Sequence, residues 1–254
     1  MSMVAEPWAS LSRESAFSPI EGKLWRFVEN QEQVATNSLV SSMDESAVLE
    51  QLLERQKPPY PAGTERLHYL LATPFRYPPL PWGSRFGREW EPGIFYGSCD
   101  LQTAQAETAY YRFRFWQGMS VLPPSGVLIT QHDSFSANYA CATGAKLQDP
   151  PWSQWQESLT RRGDYSVSQA AGSWLREQGV EGFEFQSARC PQQGINVALF
   201  KPEGLRSETP MDMQPWLCET SANSVAFSSR GGCSRQDSNP GVDFKRWTTA
   251  DIPL

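Results

Sequence analysis

The chain has 254 residues, enough to bury a substantial core in one domain. Its formal net charge of −6 argues against a protein that binds nucleic acid unaided, because such a protein needs a basic surface. No stretch approaches the roughly 20 apolar residues that cross a bilayer, and the first residues predict no signal peptide.

The cysteines and histidines limit the metal and redox chemistry that the sequence predicts. The five cysteines are odd in number and widely scattered: Cys99, Cys141, Cys190, Cys218 and Cys233. They predict no disulfide framework, and with only His68 and His132 no zinc-ligand spacing occurs. We therefore expect a cytoplasmic protein without a metal.

The first predicted strand carries an arginine. Residues 1–22 are polar and irregular and predict an N-terminal arm, and Lys23–Val28 then predicts a strand by its alternation. Arg26 either points into a half-buried sheet face, where it needs an anionic partner or a solvated cleft, or lies in water on an edge strand. The alternation fits both interpretations.

Two helices and a proline-rich segment are predicted next. Ser42 begins a helix that runs through Arg55. Thr64 is the predicted cap of a second, short helix that ends near Leu71. Thr73–Pro81 contains too many prolines for a helix or a central strand and predicts a rigid, irregular segment that leads into the Gly83 loop.

A loop, a strand and a helix follow one another between Pro81 and Trp116. Gly83–Arg88 is a glycine-flanked loop with two arginines, whose glycines let the backbone approach a ligand closely. Ile94–Gly97 is a short apolar strand with a glycine at its end. Asp100 is the predicted N-cap of a helix that continues to Trp116.

Helical spacing predicts an inward-facing stripe on this helix. The stripe consists of Leu101, Ala104, Thr108, Tyr111 and Phe115. Glu107 lies at its edge and has two interpretations. It is either a solvated residue that pairs with Arg114 or another cation, or the carboxylate of a polar pocket formed with the loop and the strand.

The following part of the chain predicts three strands and two helices. They are Gly126–Gln131, Phe183–Gln186 and Ile195–Phe200 as strands, and Trp152–Leu159 and Ser166–Gln178 as helices. The small, polar segment Ser134–Gly144 predicts a loop. Ser187 lies just past a strand end, a position typical of site residues and also of ordinary turn serines.

The composition changes after Ser207, where serine, glycine, asparagine and proline become frequent. This poorly specified extension has Trp216, Phe227 and Trp247 as isolated anchors, and it either wraps the domain or stays partly disordered. The predicted organisation is an arm at 1–22, a catalytic domain at 23–206 and a C-terminal extension at 207–254. The predicted fold class is α+β, with a small mixed sheet flanked by helices and polar groups at the strand ends.

The ordered set of polar residues resembles the RES domain, over roughly Leu24–Leu205. The resemblance rests on Arg26, Gly83-x-Arg85, Phe95-Tyr96, Ala106-Glu107-Thr108, and Ser187 followed by Asn196. The family is named for an arginine, a glutamate and a serine, and its members are mostly bacterial toxins that destroy NAD. One departure lies in the loop, where the family usually has Gly-Gly-Arg-Trp-Asn and this chain has Gly83-Ser84-Arg85-Phe86-Gly87.

The resemblance implies a fold like that of ADP-ribosyltransferase toxins and a role for each residue. Arg26 and Arg85 would bind the pyrophosphate of NAD. Glu107 would stabilise the positive charge that develops on the ribose when the nicotinamide–ribose bond breaks. Tyr96 would stack on the nicotinamide or bond near the ribose, and Ser187 would orient the ribose, a phosphate or water. Catalysis would then involve Glu107, Arg85, Tyr96 and Ser187, with NAD as substrate and no cofactor required.

The resemblance leaves the acceptor open. Inorganic phosphate gives an NAD phosphorylase, water a glycohydrolase and a protein side chain an ADP-ribosyltransferase. A catalytically inactive scaffold that only binds a partner is a further alternative. The implied partner is a helix-turn-helix antitoxin or another inhibitory protein, with no direct contact of this chain to nucleic acid or membrane; a homodimer is left open.

Overall fold

The computed structural model of the protein describes residues 7–30, 41–230 and 242–252. Its α-helices are α1 Arg13–Ala16, α2 Met43–Gln56, α3 Tyr69–Arg76, α4 Leu101–Gln117, α5 Gln156–Leu159 and α6 Ser166–Glu177. Its strands are β1 Ser18–Glu29, β2 Phe95–Ser98, β3 Leu128–Lys146, β4 Gly182–Gln186, β5 Ile195–Leu199, β6 Met211–Thr220, β7 Ser224–Arg230 and β8 Val242–Thr248. Short 3-10 turns occupy Trp152–Trp155 and Pro202–Gly204.

The described strands form one mixed sheet, in the order β1-β2-β5-β4-β3-β6-β7-β8. Only β3 and β4 run parallel; the other pairs are antiparallel. β1 pairs with β3 as well as with β2, so five strands close into a ring of hydrogen-bonded neighbours and β6–β8 extend from it. The prediction of a mixed sheet flanked by helices is confirmed, although the sheet is larger than predicted. None of the described helices is both long and apolar enough to span a bilayer.

The predicted helix starts are confirmed at two places. Asp100 caps α4 by accepting from the amide of Thr103 at 2.7 Å. Ser42 caps α2, and its hydroxyl oxygen accepts from the amide of Glu45 at 3.2 Å. Two polar N-cap side chains, each ahead of a run without glycine or proline, were sufficient to place these helices.

The N-terminal region is more regular than predicted. Met1–Glu6 lies outside the described residues, but the segment after it contains α1, and β1 begins at Ser18 rather than Lys23. Trp8 is buried, its ring centroid 6.1 Å from that of Trp152. This contact with a distant tryptophan places the segment in the core.

The predicted loop at Ser134–Gly144 is wrong, because these residues are the central part of β3. They pair with β1 along their length, and two of their serine hydroxyl groups have hydrogen-bond partners. Ser134 Oγ accepts from Trp216 Nε1 at 2.9 Å, and Ser136 Oγ donates to Asp212 Oδ2 at 2.6 Å. Buried serines are therefore satisfied in a strand that composition alone assigns to a loop.

The predicted short helix from Thr64 to Leu71 is also misplaced. The helix of this region is α3, which begins after His68 and includes Pro74, a residue of the segment predicted to be non-helical. Its side chains Leu71 and Phe75 are buried, and Phe75 stacks on Phe95 at 5.6 Å. The packing of α3 against β2 therefore stabilises the helix by more than is lost with the one backbone hydrogen bond that Pro74 cannot donate.

The prediction that one stripe of α4 faces inward is wrong at the C-terminal end of the helix. Tyr111 and Phe115 are 64% and 54% exposed. The face that packs on β1, β6 and β7 instead consists of Ala106, Ala109, Phe113 and Trp116.

The region after Ser207, predicted as an extension that wraps the domain or stays partly disordered, contributes β6–β8, and its predicted anchors Trp216, Phe227 and Trp247 are buried. Trp216, Cys218 and Thr220 point inward from β6, and Phe227 points inward from β7. These alternating buried residues cover the far side of α4, so the C-terminal strands complete the core beneath the helix that carries Glu107.

His132 makes the stability of this core sensitive to acid. It is buried on β3, and its Nε2 lies 3.0 Å from Thr130 Oγ1. Burial is the main cause that lowers its pKa to about 4, and the positive charge of the nearby Arg112 is the second. A folded-state pKa below the unfolded value favours the neutral form, so this stability is lost as the pH falls from about 6.5 towards 4.

We therefore expect the unfolding free energy to decrease by up to about 1.4 kcal/mol per pH unit below pH 6.5. The melting temperature should fall accordingly between pH 7 and pH 5. In His132→Gln the fall over this range should be smaller. Thermal unfolding of both proteins at several pH values measures the difference, and equal slopes would contradict the assignment.

Candidate active site

One cavity of about 300 Å³ lies between α4, β1, β2 and the glycine-flanked loop. Its lining combines two arginines, one carboxylate and several aromatic rings: Trp25, Arg26, Phe27, Ser84, Arg85, Tyr96, Gly97, Ser98, Ala104, Glu107, Thr108, Tyr111, Phe185 and Asn196. Four of the five predicted site residues line it. The fifth, Ser187, lies directly behind Glu107.

Glu107 is held by two hydrogen bonds to one carboxylate oxygen. Ser187 Oγ donates to Glu107 Oε1 at 2.6 Å, and Asn196 Nδ2 donates to the same atom at 2.7 Å. No described lysine, arginine or histidine forms an ion pair with Glu107. The interpretation of Glu107 as a solvated residue paired with Arg114 does not describe this arrangement.

The backbone fixes the direction of the Ser187 proton. Ser187 Oγ accepts from the amides of Arg189 at 3.1 Å and Cys190 at 2.9 Å, so both of its lone pairs are used. The hydroxyl proton is therefore available to Glu107. Ser187 is buried behind the carboxylate, and this geometry makes it a residue that positions Glu107.

Asn196 is the position that the sequence analysis quoted but did not assign to the site. It lies on β5, is buried, and its Oδ1 accepts from Ser98 Oγ on β2 at 2.7 Å. This bond leaves the Nδ2 group of Asn196 to donate to Glu107. The signal in the sequence is an asparagine in the buried strand Ile195–Leu199, where a polar amide needs partners.

Arg26 is half-buried and has no described acidic partner. Its Nη1 donates to the Tyr96 carbonyl at 2.9 Å, and its Cζ lies 4.7 Å from the Phe95 ring centroid. Removal from water lowers the pKa of Arg26 to about 10, which still leaves it charged at neutral pH. A charged guanidinium at a cavity wall without a carboxylate partner indicates an anionic ligand.

Arg85 reaches the same cavity from the loop. Its Nη1 donates to the carbonyls of Leu159 at 3.2 Å and Arg161 at 2.9 Å, and its Cζ lies 4.7 Å from the Tyr165 ring centroid. Arg85 forms no ion pair with a described carboxylate. The described bonds all use Nη1, so the remaining guanidinium donors can bind a ligand.

Tyr96 anchors the loop that carries Arg85. Its hydroxyl lies 3.0 Å from Ser84 Oγ and accepts from the Phe86 amide at 3.2 Å. Burial raises its pKa to about 12, so it stays neutral. Ser84 stands where the family usually has its second glycine, and Phe86 replaces the usual tryptophan and is fully buried. The substitutions at Ser84 and Phe86 are therefore accommodated by this hydrogen bond and by the core.

Helix α6 fixes the other side of the loop. Gln169 Nε2 donates to the carbonyls of Trp82 and Ser84, at 3.2 and 3.0 Å. Gly83 has φ +77° and lies so close to Gln169 and to the Gly87 carbonyl that a Cβ would clash with both. Only glycine fits this position. The close neighbours of Gly83 are groups of the protein itself, so the predicted close approach to a ligand stays a prediction.

A model of the RES domain matches residues 58–220, well over half of the chain. The chain belongs to the RES domain family. The matched range includes Arg85, Tyr96, Glu107 and Ser187, and Arg26 lies before it. No curated protein matches the chain.

Among solved structures, the RES domain is similar to a chain from the crystal structure of the M. tuberculosis MbcT–MbcA toxin–antitoxin complex. The two chains have 10% sequence identity, the similarity covers 82% of this chain and 88% of that one, and the TM-score is 0.41.

The lining residues place two positive groups and one negative group around the cavity. Two charged arginines can bind phosphate oxygens, and one carboxylate with a fixed orientation can accept from a hydroxyl group or stabilise positive charge. No described group of three or more histidine, cysteine, aspartate or glutamate side chains could hold a metal ion.

Proposed function

We propose that this RES domain cleaves the nicotinamide–ribose bond of NAD, with phosphate or water as the acceptor. The observation that carries the proposal is Glu107, held by Ser187 and Asn196 in the cavity that Arg26 and Arg85 also line, neither of which pairs with a described carboxylate. NAD has a pyrophosphate for the arginines and a ribose for the carboxylate. It is the substrate, and no cofactor is required.

The reaction needs charge stabilisation more than it needs a nucleophile from the protein. The C1′–N bond breaks, its electron pair moves to the nicotinamide nitrogen, and positive charge develops on the ribose. The fixed carboxylate of Glu107 stabilises this charge in the transition state. A phosphate or water oxygen then bonds to C1′, and an attacking water molecule releases one proton to the solvent. Arg26 and Arg85 hold the pyrophosphate so that C1′ stays beside Glu107.

An enzyme of this kind would act as a toxin by depleting NAD, and we propose that an inhibitory protein controls it. A helix-turn-helix antitoxin would supply any contact with DNA, since this chain has a net charge of −6. The proposed location is the cytoplasm, where NAD is available.

The test is to incubate the purified protein with NAD, with and without inorganic phosphate, and to identify products by mass spectrometry. We expect free nicotinamide together with ADP-ribose 1″-phosphate when phosphate is the acceptor, or ADP-ribose when water is. A protein that gains the mass of ADP-ribose would indicate an ADP-ribosyltransferase. Folded protein that leaves NAD intact under all conditions would contradict the proposal and favour an inactive scaffold.

A further inference from the structure

Five aromatic rings line the cavity, and four of them are buried or half-buried in the protein. Phe27 packs on Trp216 and Phe227, with centroid distances of 5.6 and 5.3 Å. Tyr96 meets the Phe185 ring at 6.3 Å. Phe185 also contacts Phe86, and Trp25 has the Lys23 ammonium 5.0 Å from its ring centroid.

Tyr111 differs from these four rings. It lines the cavity and yet is 64% exposed, and its one described aromatic contact is an edge contact with Tyr110 at 5.3 Å. Tyr110 is itself held in place, because the Arg189 Cζ lies 3.6 Å from its ring centroid. Tyr111 is thus a supported ring at the mouth of the cavity, with a face that the described residues do not cover.

Tyr111 also has a fixed relation to Glu107. The two residues are four positions apart on α4 and therefore lie on the same side of the helix, separated by about 6 Å along its axis. That separation is about one helical turn.

Resting on the proposed function, we propose that Tyr111 binds the nicotinamide ring by stacking. The nicotinamide is attached directly to the ribose that Glu107 contacts, so it lies within one helical turn of the carboxylate. The adenine is separated from that ribose by the pyrophosphate and a second ribose. The pyridinium ring is flat and positively charged, and the face of an aromatic ring attracts a cation. Tyr111 is therefore a substrate-binding residue that sets affinity.

This assignment has a consequence for product release. Nicotinamide stacked at the open end of the cavity leaves directly into solvent after the bond breaks, while the ADP-ribosyl group stays on the arginines. The stacking exists before the bond breaks, so its loss weakens binding more than it lowers turnover at saturation.

Binding of nicotinamide mononucleotide and of ADP-ribose, measured by calorimetry without turnover, tests the proposal. Tyr111→Ala should weaken the binding of nicotinamide mononucleotide about tenfold or more, the usual effect of losing one base–aromatic stack. It should leave the affinity for ADP-ribose, which lacks nicotinamide, unchanged. Tyr111→Phe keeps the ring and should restore the binding of nicotinamide mononucleotide.

The matched control is Phe115→Ala, which removes another exposed aromatic ring one turn further along α4 that does not line the cavity. It should change neither affinity. The proposal is overturned if Tyr111→Ala leaves the mononucleotide affinity unchanged, if it weakens ADP-ribose instead, or if the wild-type protein binds no mononucleotide. Binding through Tyr111 without consumption of NAD would support the inference and contradict the proposed function.

Discussion

Replacing Glu107 by glutamine is expected to lower the rate of NAD consumption at saturating substrate about a hundred- to a thousandfold, the usual cost of removing one group that stabilises transition-state charge. The substitution keeps the shape of the side chain and an oxygen that can accept from Ser187 and Asn196. The hydrogen bonds at Glu107 Oε1 can therefore persist, and the change removes the negative charge. Steady-state measurement of nicotinamide release checks the expectation.

The control is Glu177→Gln, which removes an exposed carboxylate from the C-terminal end of α6. Both variants should melt at the temperature of the wild-type protein. If Glu107→Gln changes turnover by no more than a fewfold while its melting temperature is unchanged, Glu107 does not stabilise the transition state and the proposed mechanism is wrong.

The parts of the fold that depend on local signals were predictable from the sequence. Asp100 and Ser42 identify helix starts because a polar side chain followed by an uninterrupted helical run has few alternatives. Gly83 likewise marked a position where the backbone needs glycine, although the groups close to it are Gln169 and the Gly87 carbonyl and not a ligand. The set of Arg26, Arg85, Tyr96 and Glu107, which the family resemblance selected, lines one cavity in the structure.

The parts that depend on distant partners were not predictable. Ser134 and Ser136 lie in a strand that pairs with β1. Their buried hydroxyl groups form hydrogen bonds with Trp216 and Asp212, which are about 80 positions away in the chain. Asn196 supports Glu107 only because β5 pairs with β2 and its Oδ1 is occupied there. No spacing rule within a single segment contains this information.

Tyr111 shows a different limit. Helical periodicity placed it correctly on the same stripe as Ala104 and Thr108, and all three line the cavity. Periodicity identifies the side of a helix, but it does not distinguish a side packed into the core from one that borders a cavity. The prediction of burial failed for this reason.

Gly172→Ala is expected to destabilise the protein and to weaken NAD binding. Gly172 lies in α6 against the loop of Arg85, where an added Cβ would lie 1.9 Å from the Phe86 carbonyl oxygen. Helix and loop would have to separate by roughly 1.5 Å to reach an ordinary contact of 3.4 Å. Phe86 resists this movement because its ring packs against Phe183 and Phe185, at 4.8 and 4.7 Å.

The sign of the change in stability separates this explanation from helix propensity. Alanine is the better helix former by about 1 kcal/mol, so propensity alone makes Gly172→Ala more stable. Overpacking instead lowers the free energy of unfolding by about 1–3 kcal/mol. A displacement of Arg85 by about 1 Å should also raise the half-saturating NAD concentration substantially, since misplacements of this size cost up to about a hundredfold in activity.

Gly163→Ala is the matched control, because a Cβ at Gly163 meets no atom within 4 Å. It should change neither the unfolding midpoint in urea nor the NAD dependence. Only Gly172→Ala should lower both the midpoint and the apparent affinity, because only there does the added methyl group push the arginine loop away from α6. An increase in stability together with unchanged NAD affinity in Gly172→Ala would show that the contact between α6 and Phe86 does not hold Arg85 in the site.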